Sequence, residues 1–287
     1  MFLATVCMYF CEMCSRIAIS NSMFLHPNHN IEPHAPLLKQ PESGQALYKI
    51  ISGQYFLDML KRNYLYFRRV DTYQDNTDGE QLLLDKASNE KATFAKDQSF
   101  SLAKYYDTSR ARTYACCFSL SNSDYIWNEY GNGGKDAVCL VFDFDKLRTM
   151  LNQTIGQSAL MCGDNQCHQI FSINYGIVEY ADRNGLQLNG ERFPNPIQYT
   201  YIKGRKYENE AELRISLSTL GMGNFALSNS EIIQFPTSLQ VDFNFKRAFV
   251  EGAIKEILYA TGCDQNFPGT ISQGMEKLGF LARCSTT

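Results

Sequence analysis

The sequence predicts an α+β fold. Short apolar runs with a period of two recur along the chain, and helical patterns fall between only some of them. The steady strand–helix alternation that builds a doubly wound sheet is missing, as is any internal repeat, heptad array or low-complexity tract. At 287 residues and 44% apolar content the chain is long enough for one large core.

The elements follow in order. Residues 1–45 read as an N-terminal apolar segment and a proline-rich arm, because HPNHNIEPHAPLLKQPESGQ, from His26, holds four of the eight prolines and little periodicity. A single domain then runs over 46–287. ALYKI, from Ala46, alternates as a strand, GQYFLDMLKRN puts Phe56, Leu57 and Leu60 on one helical stripe, and YLYFRRV returns to strand. DTYQDNTDGE is rich in turn formers and reads as an exposed loop, and the polar stretch from there to about Ser109 is helical in composition. TYACCFSL is a strand. In SNSDYIWNEYGNGG, Ser123 is placed to cap a short helix that leaves through glycine, and DAVCLVFDF has the unbroken apolar run of a buried strand. Residues 170–180 read as a further strand, 182–198 as a polar loop, 207–217 as a strand bearing glutamates and SEIIQFPTSLQVDF as more of the sheet. FKRAFVEGAIKEILYATG reads as an amphipathic helix closing at Gly262.

Net charge is -3 and the pI about 5.9, so the chain as a whole has no pull toward nucleic acid or anionic lipid. The basic clusters Lys61-Arg62, Arg68-Arg69 and Lys203 to Lys206 read as solvated surface. The opening run MFLATVCMYFC is too short to span a bilayer and lacks the preceding positive charge of a signal peptide, which predicts a cytoplasmic protein without a membrane partner. The ten cysteines do not have the spacing of a secreted disulfide framework. Cys116, Cys117 and Cys139 sit in apolar strand-like runs, where reduced thiols act as small hydrophobes.

Several chemistries lose their support. Cys7, Cys11 and Cys14 have the CxxxCxxC spacing by which radical S-adenosylmethionine enzymes hold a cluster, but a proline-rich arm follows where a barrel should begin. Cys162, Cys167 and His168 lack an evident fourth zinc ligand. Phosphate-loop, dinucleotide and α/β-hydrolase motifs are absent, and His168 is the one histidine within 46–287, which leaves little for a Ser-His or Cys-His system. Asp71, Asp75, Asp78 and Glu80 do not fit an EF-hand, so a solvated acidic loop is expected and no metal.

GRKYENEAELRISL, from Gly204, is the unusual stretch. As a strand it sets Glu208, Glu210, Glu212 and Arg214 on one face, with Ala211, Leu213 and Ile215 toward the core. Three like charges in a row need solvent, cations or a function. An exposed edge strand screened by Arg214 is one account; a functional carboxylate set is the other.

LYKI at 47–50, LYFRRVDTYQDNTDGE at 65–80, CFSLSNSDYIWNEYGNGGKDAVCLVFD at 117–143 and NEAELR at 209–214 together resemble the bacterial domain-of-unknown-function family DUF2971. That family shows an LYKY strand, an FNDPFEG segment, a CFS to GFD segment and a YExExR box in the same order. Gln74 to Thr77 stand where NDPF would be, Asn209 replaces the tyrosine of the box, and Tyr207 replaces a tryptophan before it. The layout is also similar to the ADP-ribosyltransferases, which implies a split, mixed or antiparallel sheet with flanking helices. It implies Glu212 as the carboxylate that meets an oxocarbenium-like ribose and Glu210 as the group that orients or deprotonates an acceptor. Tyr48, Lys49, Ser119, Ser121, Tyr125, Trp127 and Tyr130 would bind NAD, the substrate, and Arg214 would support the carboxylates from behind. A toxin or effector with a protein or nucleic-acid acceptor follows by the same resemblance, with use in phage defence or delivery to a host cell, and with an antitoxin or regulatory partner. Two rivals stand beside it: a non-catalytic nucleotide- or partner-binding sensor of the same fold, and a metal-dependent hydrolase using Asp75, Asp78 and the glutamates.

Overall fold

The computed structural model describes residues 31–94, 97–156, 160–162, 165–166, 171–185, 188, 194–219, 225–226, 232–280 and 284–286. Cys7, Cys11, Cys14, Cys167 and His168 lie outside them. The strands that matter for function are β1 (Ala46–Ser52), β2 (Tyr64–Arg69), β3 (Thr113–Ser119), β4 (Ala137–Asp143), β5 (Phe171–Ile177), β6 (Glu179–Ala181), β7 (Ile202–Gly204), β8 (Glu212–Thr219), β9 (Ser238–Asp242), β10 (Ile254–Tyr259) and β11 (Cys284–Thr286). The helices are α1 (Gly53–Arg62), α2 (Leu83–Lys91), α3 (Leu102–Arg110), α4 (Asp124–Tyr130), α5 (Phe144–Gly156), α6 (Pro196–Tyr199), α7 (Phe245–Val250) and α8 (Phe267–Lys277). The fold is α+β, an antiparallel sheet core with flanking helices.

β3 is the hub of the sheet. β8 pairs antiparallel along one whole edge of it, from Glu212 opposite Ser119 to Ser218 opposite Thr113, and β5 covers the far edge of β8. The glutamate strand is therefore interior, not an exposed edge. The other edge of β3 is shared. β1 meets it only at Tyr48 opposite Ser119, and β2 only at Arg68 opposite Ala115 and Arg69 opposite Tyr114. Between those points the sheet is split. β1 leads outward through β4 and β10 to β11, and β2 leads to β9 and the short hairpin Leu160–Cys162 and Asn165–Gln166. The β10–β11 ladder is parallel and the others of this sheet are antiparallel.

α1 carries the chain from one wing of the split to the other. It buries Phe56, Met59 and Leu60 and stops at Asn63, which adopts the left-handed conformation that ends helices. α8 lies against it closely because two glycines face the contact. A Cβ on Gly53 would sit 2.7 Å from the Phe267 ring, and one on Gly274 would sit 2.8 Å from Leu57. The core beneath is rich in edge-to-face aromatic pairs, such as Phe118–Phe142 at 5.4 Å between ring centroids.

Four stretches differ from expectation. The segment FKRAFVEGAIKEILYATG is not one helix. It forms α7, a turn through Gly252 at φ 73°, and the buried strand β10. Gly252 stops the helix as a left-handed residue, and Ile254, Ile257 and Leu258 then suit a strand against β4. α5 and α8 are helices without a counterpart in the sequence reading. From Ile31, the proline-rich segment lies along β5: Ile173 N–H donates to Ile31 O at 3.1 Å and Ile177 N–H to Lys39 O at 2.8 Å. Glu32 closes the contact with an ion pair to Arg148 of α5.

Candidate active site

The split opens a cleft of about 550 Å³ whose floor is β3 from Ala115 to Ser119. Where no strand pairs with that edge, backbone carbonyls must find other donors. Lys49 on β1 donates from Nζ to Cys117 O at 3.0 Å, with its ammonium 5.0 Å from the centre of the Phe118 ring. Tyr73 donates from its hydroxyl to Ala115 O at 3.2 Å. Tyr48, Tyr66, Arg68, Tyr130 and Tyr207 also line the space.

The carboxylates arrive differently from the expected single row. Arg205–Glu210 forms a 3-10 helix, Ala211 turns at φ 44°, and β8 begins at Glu212. Glu208 is therefore exposed on the helix, while Glu210 and Glu212 are buried, at 6% and 3% relative exposure. The turn at Ala211 folds Glu210 back so that both side chains reach one ammonium. Lys203, on β7, bonds Glu210 Oε2 at 2.5 Å and Glu212 Oε2 at 3.1 Å.

Arg214, two residues along β8, holds Glu212 from behind through Nε at 2.7 Å and Nη2 at 3.1 Å. The same guanidinium takes both oxygens of Asp78, at 2.6 and 2.9 Å, and Thr200 O at 2.7 Å. Asp78, Glu210 and Glu212 thus face Lys203 and Arg214, which leaves one uncompensated negative charge when all are ionised. Burial acts to raise the Glu212 carboxyl, but the adjacent Arg214 and Lys203 charges outweigh it and hold the group well below the usual carboxylate range. Burial pushes Glu210 upward, against the pull of Lys203 and of the Tyr130 hydroxyl, which donates to its Oε1 at 2.7 Å. Cys117, in the floor, is pushed far up by burial and by Glu212, so it stays a neutral thiol.

The residues singled out in the sequence separate into two groups. Tyr48, Lys49, Ser119, Tyr130, Glu210 and Glu212 line the cleft, and Arg214 stands behind it. Ser119 is pinned: its hydroxyl is within 2.8 Å of Glu210 O and 2.9 Å of Ser121 O, so it fastens the glutamate turn to β3. Ser121, Tyr125 and Trp127 do not line the cleft. Ser121 is exposed, and Trp127 is buried among Ile126, Cys139 and Leu258 with its indole N–H on Asn122 Oδ1 at 2.8 Å. Tyr125 packs on the same cluster. Lys203, Asp78 and Tyr73 are central to the site: by sequence Lys203 reads as part of a solvated basic cluster, Tyr73 is not singled out, and Asp78 reads as part of an acidic loop or as a carboxylate of the hydrolase alternative, not as a partner of Arg214. Lys206, three residues on from Lys203, is indeed exposed. Among the described residues no group of three or more His, Cys, Asp or Glu side chains is arranged to hold a metal, and none of the helices is long and apolar enough to cross a membrane.

No protein-family model matches the chain, and no curated protein matches it. Among solved structures it is similar to DarT of Thermus sp. 2.9 in complex with ADP-ribosylated ssDNA, at 8% identity over 87% of this chain and 96% of that one, with a TM-score of 0.35.

Proposed function

We propose that the protein is an ADP-ribosyltransferase that takes NAD as donor and modifies a protein or nucleic-acid acceptor. One observation carries the reading: a split sheet opens onto a rigidly held, ionised carboxylate, Glu212, with a second carboxylate of opposite pKa tendency beside it. Breaking the bond between ribose C1′ and nicotinamide sends the electron pair to the ring nitrogen and leaves positive charge on the ribose. Glu212 is pre-placed to meet that charge, and Arg214 and Lys203 keep it ionised without motion. Glu210, pushed upward by burial, suits the proton that the attacking acceptor gives up. Lys49 and Arg68 supply positive charge for the pyrophosphate, and the tyrosines supply faces for the rings. Were the acceptor essential, its modification would harm the cell that holds the enzyme, and the reading extends to a toxin or effector kept in check by an antitoxin or similar partner. The residue runs described above make membership of DUF2971 part of the same proposal.

A specific feature favours a second reading. Both oxygens of Glu212 already accept bonds from the protein, as in a module that recognises a nucleotide and does not turn it over.

Labelled NAD, with purified protein alone and with cell extract, separates the two. Nicotinamide release or label transfer is expected from wild type and falls by roughly 10²–10³-fold in Glu212→Gln. Glu208→Gln, changed at an exposed position, keeps wild-type turnover. Saturable NAD or ADP-ribose binding by calorimetry, with equal and negligible turnover in all three proteins, sinks the enzyme and supports the sensor.

A further inference from the structure

Arg214 is committed to Asp78, Glu212 and Thr200 O, and none of its bonds reaches Glu210. Lys203 is the cation bonded to Glu210 among the described residues, and it bridges to Glu212 as well. It sits on β7, a short strand that pairs parallel with β6 and is covered by the Tyr207 ring at 4.9 Å. A buried lysine ammonium between two carboxylates that lie two residues apart does one physical thing. It lets both be charged at once, where burial and mutual repulsion would otherwise protonate one of them.

We propose that Lys203 is a positioning residue of the cleft whose ammonium keeps Glu210 ionised and fixed beside Glu212. The proposal rests on the reading of the cleft as a transferase site only for its effect on turnover; the charge state of Glu210 is independent of that reading. The groups facing Glu210 are Lys203 from β7, Glu212 from β8 and Tyr130 from α4, with the phenols of Tyr125 on α4 and Tyr180 on β6 farther off and the charges of Arg214 and Asp78 behind Glu212 and Lys203. Of the groups bonded to it, the Tyr130 phenol is a neutral donor, and its own pKa is raised by burial and by Glu210. Without Lys203 nothing bonded to Glu210 balances its charge, and the proton stays on at neutral pH.

Two measurements test this on the full chain without ligand and with NAD. Infrared spectra of protein with isotope-labelled glutamate, recorded across pH, read protonated carboxyl groups directly. Lys203→Met is expected to gain a carboxylic-acid band at neutral pH that fades as pH rises and is absent from the Lys203→Met, Glu210→Gln double variant. Lys203→Arg restores the charged state. If Lys203→Met does not fold, Lys203→Gln, which keeps a donor but no charge, takes its place with the same expectation. Absence of the band in the neutral variants, or its persistence in the double variant, overturns the proposal.

For turnover, the neutral variants lose about tenfold or more at neutral pH and recover as pH rises through the new Glu210 value, with the loss in kcat and little change in KM. A loss that is constant with pH is that of a merely structural lysine and also overturns it. If no variant, wild type included, turns over NAD, the transferase reading fails while the infrared result still decides the role of Lys203.

Discussion

Arg214 has five N–H donors, and all five are used: Nε on Glu212, Nη1 on Asp78 and Thr200 O, Nη2 on Asp78 and Glu212. At 1% relative exposure it cannot exchange any of these for water. Removing one member of such a buried set leaves the others charged and unpaired, so Arg214→Met is expected to cost about 3–5 kcal/mol in urea unfolding. Arg214→Lys should recover only part of that, because an ammonium has three donors and no planar fork to serve two carboxylates at once. A cost below about 1 kcal/mol for Arg214→Met would mean that water reaches the cluster and that the bonds contribute little. The Asp78 contact bears on function too. Asp78 lies in the turn-rich segment after β2, whose carbonyls at Asn76 and Asp78 are held by Arg110 at 2.7 Å each. The loop over the cleft is therefore a fixed wall that reaches Glu212 through one guanidinium.

At the scale of elements, the joint between the 3-10 helix and β8 decides where the carboxylates go. Ala211 takes φ 44°, ψ 52°, a conformation that costs a non-glycine residue roughly 1–2 kcal/mol, and its N–H donates to Glu208 O at 3.1 Å. Ala211→Gly should be neutral or slightly stabilising, since relief of strain offsets the looser unfolded chain. Ala211→Val should lose about 1–2 kcal/mol in thermal or urea unfolding, because a β-branched residue is poorly tolerated there. If valine proved as stable as alanine, the turn would not hold the backbone assigned to it. This joint also marks where sequence reasoning stops. β1, α1, β2, β3 and β4 were legible because each has one clear period and a stop signal in Ser52-Gly53, Asn63 or the glycines after Tyr130. Alternation through YENEAELR carried the strand reading too far back, since period two persists in residue types even where the backbone has turned. Residues 245–259 failed for the reverse reason: AFVEGAIKEIL satisfies a helical stripe, and only the glycine at 252 separates helix from strand. Of the site, Glu210, Glu212, Arg214 and Lys49 were visible as charges on strands. The burial of Lys203, and the pairing of Asp78 with Arg214, were not, because burial of a charge depends on partners brought in by the fold: Asp78 meets Arg214 across 136 positions in the chain.

At the scale of the whole molecule, the shifted groups set how stability depends on pH. Burial lowers His34 below its ordinary 6.5, so the unfolded chain takes up that proton first. Stability from His34 is thus present above 6.5 and declines as pH falls through it. Glu212, held well below 4.5 by Arg214 and Lys203, contributes fully above 4.5 and loses its contribution as pH falls further. Asp75 and Asp143, each lowered from 3.8 by the hydrogen bonds and lysines that oppose their burial, act in the same direction. Glu210 runs against them. Burial raises it above 4.5, so the native state keeps its proton longer and this one group weakens the fold as pH rises through its native value. Lys203 is raised above 10.5, and its contribution lasts throughout the neutral range and fades only in alkali. The expected profile is a broad plateau with an early shallow decline below 6.5 and a steep one below 4.5. His34→Gln should remove the first. Glu212→Gln should be far less stable than wild type on the plateau, because Arg214 and Lys203 lose a charged partner, yet the two curves should approach each other as pH falls below 4.5, where the unfolded wild-type chain takes up the proton that folded Glu212 still refuses. Denaturant midpoints of both proteins across that interval decide the point: curves that run parallel would mean that Glu212 titrates alike in the folded and unfolded chains, so that Arg214 and Lys203 do not favour its charge, and the electrostatic basis for its role in the cleft would go with it.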